Sequence, residues 1–220
     1  MCIRDRPLTN KKPKPLLEIG GITLLERAIN LLINHGVKEI SLNIHHLGDQ
    51  IEKYISDLKL EVKIKISNEK DSLLDTGGGV KKGTKDFKEN PFFVINPDTL
   101  WSNKYSKEVQ SLEKEFFINK RPCLLLVKKE LSLDNSFKGD FNLNNNLISK
   151  DEHNQFIFTG LQIIKNDHLL SFDKDIFSMN EVWEKLISEK NLGGLESNQK
   201  FYHLNTFEMF EKISSLSSID

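Results

Sequence analysis

Phe92-Phe93-Val94-Ile95-Asn96-Pro97-Asp98 sets an unbroken run of four apolar residues against a proline and a carboxylate. Such a short continuous run predicts a strand covered on both faces, in the centre of a parallel sheet. The proline ends it, because its nitrogen cannot donate to a ladder. In doubly wound sheets ligands bind beyond the carboxyl ends of the strands, which makes Asp98 the first candidate for function. A carboxylate there suits Mg²⁺, which usually takes one or two carboxylates together with substrate phosphates and water. A turn-forming aspartate that caps the next segment is the alternative, and spacing alone does not separate the two.

Upstream, Thr76-Gly77-Gly78-Gly79 predicts a turn leading into a polar helix over 80–87. Without Cβ atoms the backbone there can approach a flat or anionic ligand, although a glycine run before a helix is often only a permissive loop. Residues 61–66 alternate Val62, Ile64 and Ile66, and residues 38–44 carry Ile40, Leu42 and Ile44, so both read as strands. Between them Ile51, Tyr54, Ile55 and Leu58 recur at helical spacing after Gly48. Further back, Thr23 and Glu26 form a capping-box signature, and Leu24, Leu25, Ala28, Leu31 and Leu32 continue as a helical stripe to Gly36. Helix, strand, helix, strand is the α/β order.

Downstream, residues 123–127 and 156–164 read as strands and 180–190 as a helix with Val182, Trp183, Leu186 and Ile187 inward. Residues 139–150, around Asn144-Asn145-Asn146, read as a hairpin with a polar turn. No internal repeat or low-complexity linker interrupts the 220 residues, so a single domain over 1–220 is expected.

Composition excludes several classes. Lysine plus arginine number 31 against 32 aspartate plus glutamate, a net charge of −1, which argues against a nucleic-acid binder. The apolar-looking stretch 24–37 is broken by Glu26, Arg27, Asn30, Asn34 and His35, so no membrane span is expected. Cys2 and Cys123 fit neither a disulfide framework nor a thiolate zinc site, which suits a reducing cytoplasm. The first six residues are charged and lack the apolar core of a signal peptide. Lys11-Lys12-Pro13-Lys14-Pro15 presents cations on a proline-stiffened segment, suited to phosphate oxygens or simply to solvent. Nothing fixes an oligomeric state.

The motifs taken in order carry a resemblance. Arg6-Pro7-Leu8-Thr9, Pro13-Lys14-Pro15-Leu16-Leu17 and Ile19-Gly20-Gly21 resemble the opening of sugar-1-phosphate nucleotidyltransferases. Leu74-Asp75-Thr76-Gly77-Gly78-Gly79 resembles that family's nucleobase-side loop, and Val94-Ile95-Asn96-Pro97-Asp98-Thr99-Leu100-Trp101 its metal-binding strand end. With Phe158-Thr159-Gly160 added, the pattern is most similar to the N-acetylmuramate-1-phosphate uridylyltransferase type, from about Arg4 to the C-terminus.

The resemblance implies a Rossmann-like mixed, mainly parallel sheet flanked by helices, and an Mg²⁺-dependent reaction of a nucleoside triphosphate with a sugar 1-phosphate that releases pyrophosphate. It gives Lys14 the sugar phosphate or α-phosphate, Asp98 the metal, and Arg4 the place of the family's catalytic arginine. Thr76, Gly77, Gly78 and Asn96 fall to the nucleotide, and Gly160 meets the sugar through its backbone. A mannose-1-phosphate guanylyltransferase, or a noncatalytic nucleotide-sugar-binding protein, is the alternative.

Two departures stand out. Ahead of Arg4 the family's first strand and G-x-G-T-R triphosphate loop are missing, which predicts an N-terminally truncated form of a complete enzyme, with little turnover as it stands. Near the other end, Phe201-Tyr202-His203-Leu204-Asn205-Thr206 puts His203 where the family has a second metal-binding aspartate. A neutral imidazole is a poorer partner for Mg²⁺, so His203 is expected either to bind the metal or to hydrogen-bond water or phosphate. His45 and His46 are expected to make local hydrogen bonds, and Trp101 and Trp183 to pack.

Overall fold

In the computed structural model, which describes residues 11–70 and 72–216, Thr23 opens the first long helix as its spacing predicts. Its Oγ1 accepts the Glu26 N–H at 3.1 Å and donates to Tyr54 Oη at 3.2 Å, and that hydroxyl in turn donates to Glu26 at 2.7 Å. One hydroxyl thereby caps a helix and ties it to the next. Arg4 and the Arg6-Pro7-Leu8-Thr9 motif lie outside the described residues.

A two-residue hairpin, β1 (Glu18–Ile19) and β2 (Ile22–Thr23), leads into α1 (Leu24–Asn34). Then follow β3 (Glu39–Ile44), α2 (Gly48–Asp57) and β4 (Lys63–Asn68), a right-sized β-α-β unit whose strands pair in parallel from Glu39↔Lys63 to Ile44↔Asn68. Leu25, Ile29, Ile44 and Ile51 form the core between its helices and strands. Next come α3 (Asp75–Thr84), β5 (Phe92–Ile95), α4 (Ser106–Asn119) and β6 (Cys123–Lys128). β7 (Asn142–Asn144) and β8 (Leu147–Ser149) form a hairpin whose two turn residues, Asn145 and Asn146, have φ of 49° and 59°. A two-residue turn with both φ positive matches the twist of the strands, and asparagine tolerates it. β9 (Phe156–Ile164), α5 (Asp167–Leu170), α6 (Met179–Ser188), β10 (Gly193–Ser197) and α7 (Phe207–Ser214) complete the chain.

Among the described residues the larger sheet has six strands in the order β5-β9-β6-β10-β8-β7. β9 is antiparallel to both β5 and β6, β6 and β10 are parallel, and the β7–β8 hairpin joins β10 antiparallel. The sheet is therefore mixed: β5, β6, β10 and β7 run one way, β9 and β8 the other. α4 covers one face through Val109, Leu112 and Phe116, packed with Leu125, Leu161 and Trp101. α6 covers the other through Val182, Trp183 and Leu186, packed with Leu124, Leu126 and Phe156. This is the Rossmann-like, mixed α/β arrangement expected, but not a mainly parallel one: among the described strands of this sheet β6–β10 is the one parallel pairing. No described helix is long and apolar enough to cross a membrane.

Two further expectations need correction. β5 is not a central parallel strand: its described partner is antiparallel, and Phe93, Val94 and Ile95 are only partly buried. An apolar run reports covered faces but is silent about neighbour direction. The polar helix expected over 80–87 begins instead at Asp75, so the three glycines lie inside its first turns, and a 3₁₀ turn over Lys85–Phe87 follows Thr84.

Candidate active site

Three segments distant in sequence meet through one apolar cluster. Leu17 and Ile19 follow Lys14, Leu100 follows Asp98, and Leu204 follows His203; all four are buried together with Met209 and Ile213 of α7. Burying these leucines and isoleucines brings the polar residues beside them to a common surface, at about 25 cal/mol per Å² of apolar area removed from water. Backbone bonds fix the register: Leu204 N–H donates to the Asp98 carbonyl at 2.8 Å and Leu100 N–H to the Tyr202 carbonyl at 2.9 Å.

On that surface Lys14 Nζ lies 3.1 Å from Asp98 Oδ2, the side chains 19% and 29% exposed. The lysine projects from a 3₁₀ turn, Lys14–Leu16, stiffened by Pro13 and Pro15. Among the described residues Asp98 Oδ1 is buried without a hydrogen-bond partner. An unpartnered carboxylate oxygen is costly unless something binds it, and a hard cation is one group such an oxygen can take. His203 Nε2 is 3.8 Å from Asp98 Oδ2. Its ring stacks on Phe201 at 5.9 Å and meets Phe137 edge-on at 5.8 Å. Desolvation pushes the His203 pKa below the ordinary value, against the pull of Asp98, which favours the uncharged ring. Among the described residues no group of three or more His, Cys, Asp and Glu side chains is gathered for a metal. A single carboxylate oxygen, completed by substrate oxygens and water, is compatible with Mg²⁺.

Asn96 and Gly160 meet at the floor. Asn96 N–H donates to the Gly160 carbonyl at 2.8 Å. Gly160 has φ +93°, and a Cβ there would come 2.9 Å from the Asn96 Cβ. The pairing of β9 with β6 shifts register across this point, between Leu124 and Leu126. Bulges of this kind re-aim backbone next to active sites, and only glycine accepts the conformation without strain. Buried threonines brace it: Thr99 Oγ1 donates to the Thr159 carbonyl at 2.7 Å, and Thr159 Oγ1 to the Leu125 carbonyl at 2.9 Å. Trp101 is fully buried with Nε1 donating to the Asn96 carbonyl at 2.8 Å, the packing role expected of it.

The glycine run has a packing task. Gly77 and Gly78 N–H both donate to the Phe177 carbonyl, at 2.9 and 3.1 Å. A Cβ on Gly77 would fall 2.5 Å from the Phe177 ring, and one on Gly78 1.9 Å from the Asp175 carbonyl oxygen. The close approach these glycines permit is made by the chain's own segment 175–177. Thr76 is exposed, and its Oγ1 accepts the Met179 N–H at 2.9 Å. His45 and His46 are exposed ahead of α2.

Sequence reasoning missed two carboxylates near His203. Asp134 accepts from Asn205 Nδ2 at 2.8 Å, and Asp140 accepts the Phe158 N–H at 2.8 Å. Both charges act on His203. Asp140 also lines a cavity of about 260 Å³ with Gly139, Phe141, Lys150, Phe158, Asn180 and Trp183. Its place between a glycine and a phenylalanine, just before a hairpin, was the available signal.

With this geometry in hand, comparison with known proteins is informative. Residues 3–120 match the family described as nucleotidyl transferase. The chain is 28% identical over 209 residues to the N-acetylmuramate alpha-1-phosphate uridylyltransferase of Caulobacter vibrioides, covering 91% of this chain and 86% of that protein. It is 37% identical over 95 residues, 43% of this chain and 42% of the relative, to the D-glycero-alpha-D-manno-heptose 1-phosphate guanylyltransferase of Campylobacter jejuni. Among solved structures, the UDP-glucose pyrophosphorylase of Acinetobacter baumanii shares the fold with a TM-score of 0.78 at 12% identity, over 95% of this chain and 87% of that one. The inositol-1-phosphate CTP transferase of T. maritima does so with a TM-score of 0.74 at 19% identity, over 98% and 93%. A lysine and a carboxylate converging at the ends of an α/β sheet, and a family match over more than half the sequence, agree: the chain belongs to the nucleotidyl transferase family, among its sugar-1-phosphate nucleotidyltransferases.

Proposed function

We propose that the chain transfers UMP from UTP to an N-acetylated amino-sugar 1-phosphate, of which N-acetylmuramate 1-phosphate is the first choice, with release of pyrophosphate. The observation that carries this is the Lys14–Asp98 pair, 3.1 Å apart, with the second Asp98 oxygen buried and, among the described residues, unpartnered. The choice of uridine and of muramate rests on the C. vibrioides relative, which aligns over most of both chains.

The chemistry asks little of the protein beyond positioning and charge. An oxygen of the sugar phosphate attacks the α-phosphorus in line, the bond to the leaving pyrophosphate breaks, and no side chain serves as nucleophile. Lys14 holds the sugar phosphate or the α-phosphate as a point charge. Mg²⁺, when bound, neutralises charge building on the α-phosphate and pyrophosphate. Asp98 presents its Oδ1 to that ion, while His203, ring-stacked and with its uncharged form favoured, either ligates it or donates to a phosphate oxygen. The resemblance assigns Thr76, Gly77, Gly78 and Asn96 to the nucleotide and the Gly160 backbone to the sugar. Arg4, outside the described residues, stands where the resemblance puts the family's catalytic arginine. The cysteine pattern suits a cytoplasmic enzyme.

The second reading is guanylyl transfer, favoured by guanylyltransferase relatives such as the C. jejuni protein and the mannose-1-phosphate enzyme of Xenopus tropicalis. Pyrophosphate release with Mg²⁺, comparing UTP with GTP against N-acetylmuramate 1-phosphate and mannose 1-phosphate, separates them. The proposal expects the UTP and muramate combination to be fastest. GTP preferred with mannose 1-phosphate overturns the uridylyl reading.

A further inference from the structure

From the cavity lined by Asp140, Lys150 and Trp183 we infer that Lys150 reads a second negative charge, a carboxylate, on the sugar 1-phosphate. The inference rests on the nucleotidyltransferase reading above and narrows its substrate to acidic sugars. The cavity, about 260 Å³, is too small for a whole nucleotide sugar and suits one sugar ring. Its position connects it to the reacting end. Phe158 on its wall is two residues from Gly160, roughly 7 Å along an extended strand, and the charge of Asp140 on its rim acts on His203.

The lining divides by chemistry. Trp183, Phe158 and Phe141 make an aromatic wall, with Phe158 and Trp183 centroids 4.8 Å apart and Phe141 and Trp183 centroids 5.8 Å apart. The indole is held in place by its Nε1 donating to Gln162 Oε1 at 3.0 Å. Such a wall packs against the carbon face of a pyranose. Asp140 offers acceptor oxygens to hydroxyls or to an acetamido N–H, with one already taking the Phe158 N–H at 2.8 Å. Lys150 supplies the cavity's cation. Its Nζ stands 3.7 Å from Glu184 Oε1, with side chains 46% and 63% exposed, a surface pair of small energetic weight. That ammonium is therefore available to a ligand. With a neutral sugar it keeps only Glu184 and the charge of Asp140, whereas a carboxylate projecting from the ring makes a charge-assisted hydrogen bond with it. N-acetylglucosamine and N-acetylmuramate differ by such a carboxylate-bearing ether and so form a matched pair of probes.

The experiment is calorimetric titration of the whole chain, and of Lys150→Gln, with N-acetylmuramate 1-phosphate and with N-acetylglucosamine 1-phosphate. Wild type is expected to bind the muramate compound roughly tenfold more tightly, the scale of one charge-assisted bond. Lys150→Gln should bring that ratio near one without moving the glucosamine Kd, and raised salt should shrink it in wild type only. A wild-type ratio near one with both sugars bound overturns the Lys150 assignment and leaves the transferase reading standing. A ratio unchanged in Lys150→Gln, or both affinities falling together, also overturns it. Failure of wild type to bind either sugar phosphate overturns both.

Discussion

Asp98 gives one oxygen to Lys14 and, among the described residues, keeps the other buried without a partner, the asymmetry on which the proposed site rests. Both residues were legible in the sequence, Asp98 because it closes an apolar strand and Lys14 because it sits in a recognisable proline-flanked motif. The sequence was silent about what held them together, since Leu17, Ile19, Leu100 and Leu204 are ordinary hydrophobic residues until the fold makes them neighbours. Gly78 shows the opposite case: a glycine with an obvious functional reading whose measurable role is steric. A methyl group there would meet the Asp175 carbonyl oxygen at 1.9 Å, backbone that cannot rotate away. Gly78→Ala should cost about 1–3 kcal/mol as overpacking, read as a lower denaturant midpoint. An unchanged midpoint would show that segment 175–177 does not sit where it is described.

Elements with a strong local signal formed as expected. α1 has a cap and an uninterrupted stripe, and the β7–β8 hairpin has its asparagine turn. α4 escaped notice because Phe117 and Ile118, 49% and 65% exposed, blur the stripe of Val109, Leu112 and Phe116. Thr23→Ala removes the α1 cap and a link to Tyr54, so a loss of about 1 kcal/mol is expected in chemical denaturation. No measurable loss would place the stability of α1 wholly in its packed face. In β6, burial pushes the Cys123 thiol up to about 12. In a Cys2→Ser chain Cys123 should stay unlabelled by a disulfide reagent at pH 8 until denaturant is added, because neither thiolate nor access is present. Rapid labelling of the native chain would mean that the central strand opens.

At the scale of the molecule, the described strands fall into two larger sheets that share no hydrogen-bonded strand: β3–β4 and the six-stranded sheet with β5 at its edge. Ile40 and Leu42 on β3, and Phe93 and Ile95 on β5, are only partly buried. Fold class and strand order along the chain were readable from periodicity. Sheet order was not, because pairing depends on which edges remain free after helices have covered the faces.

The central claim is that Asp98 and Lys14 form the charge-handling centre of nucleotidyl transfer. The direct measurement is Mg²⁺-dependent pyrophosphate release from UTP and N-acetylmuramate 1-phosphate by the protein and its Asp98→Asn variant, with melting temperatures alongside. The account predicts a fall of at least ~100-fold in kcat/KM, with melting within a few degrees of the parent. An Asp98→Asn enzyme that keeps its parent's rate and Mg²⁺ dependence would contradict it.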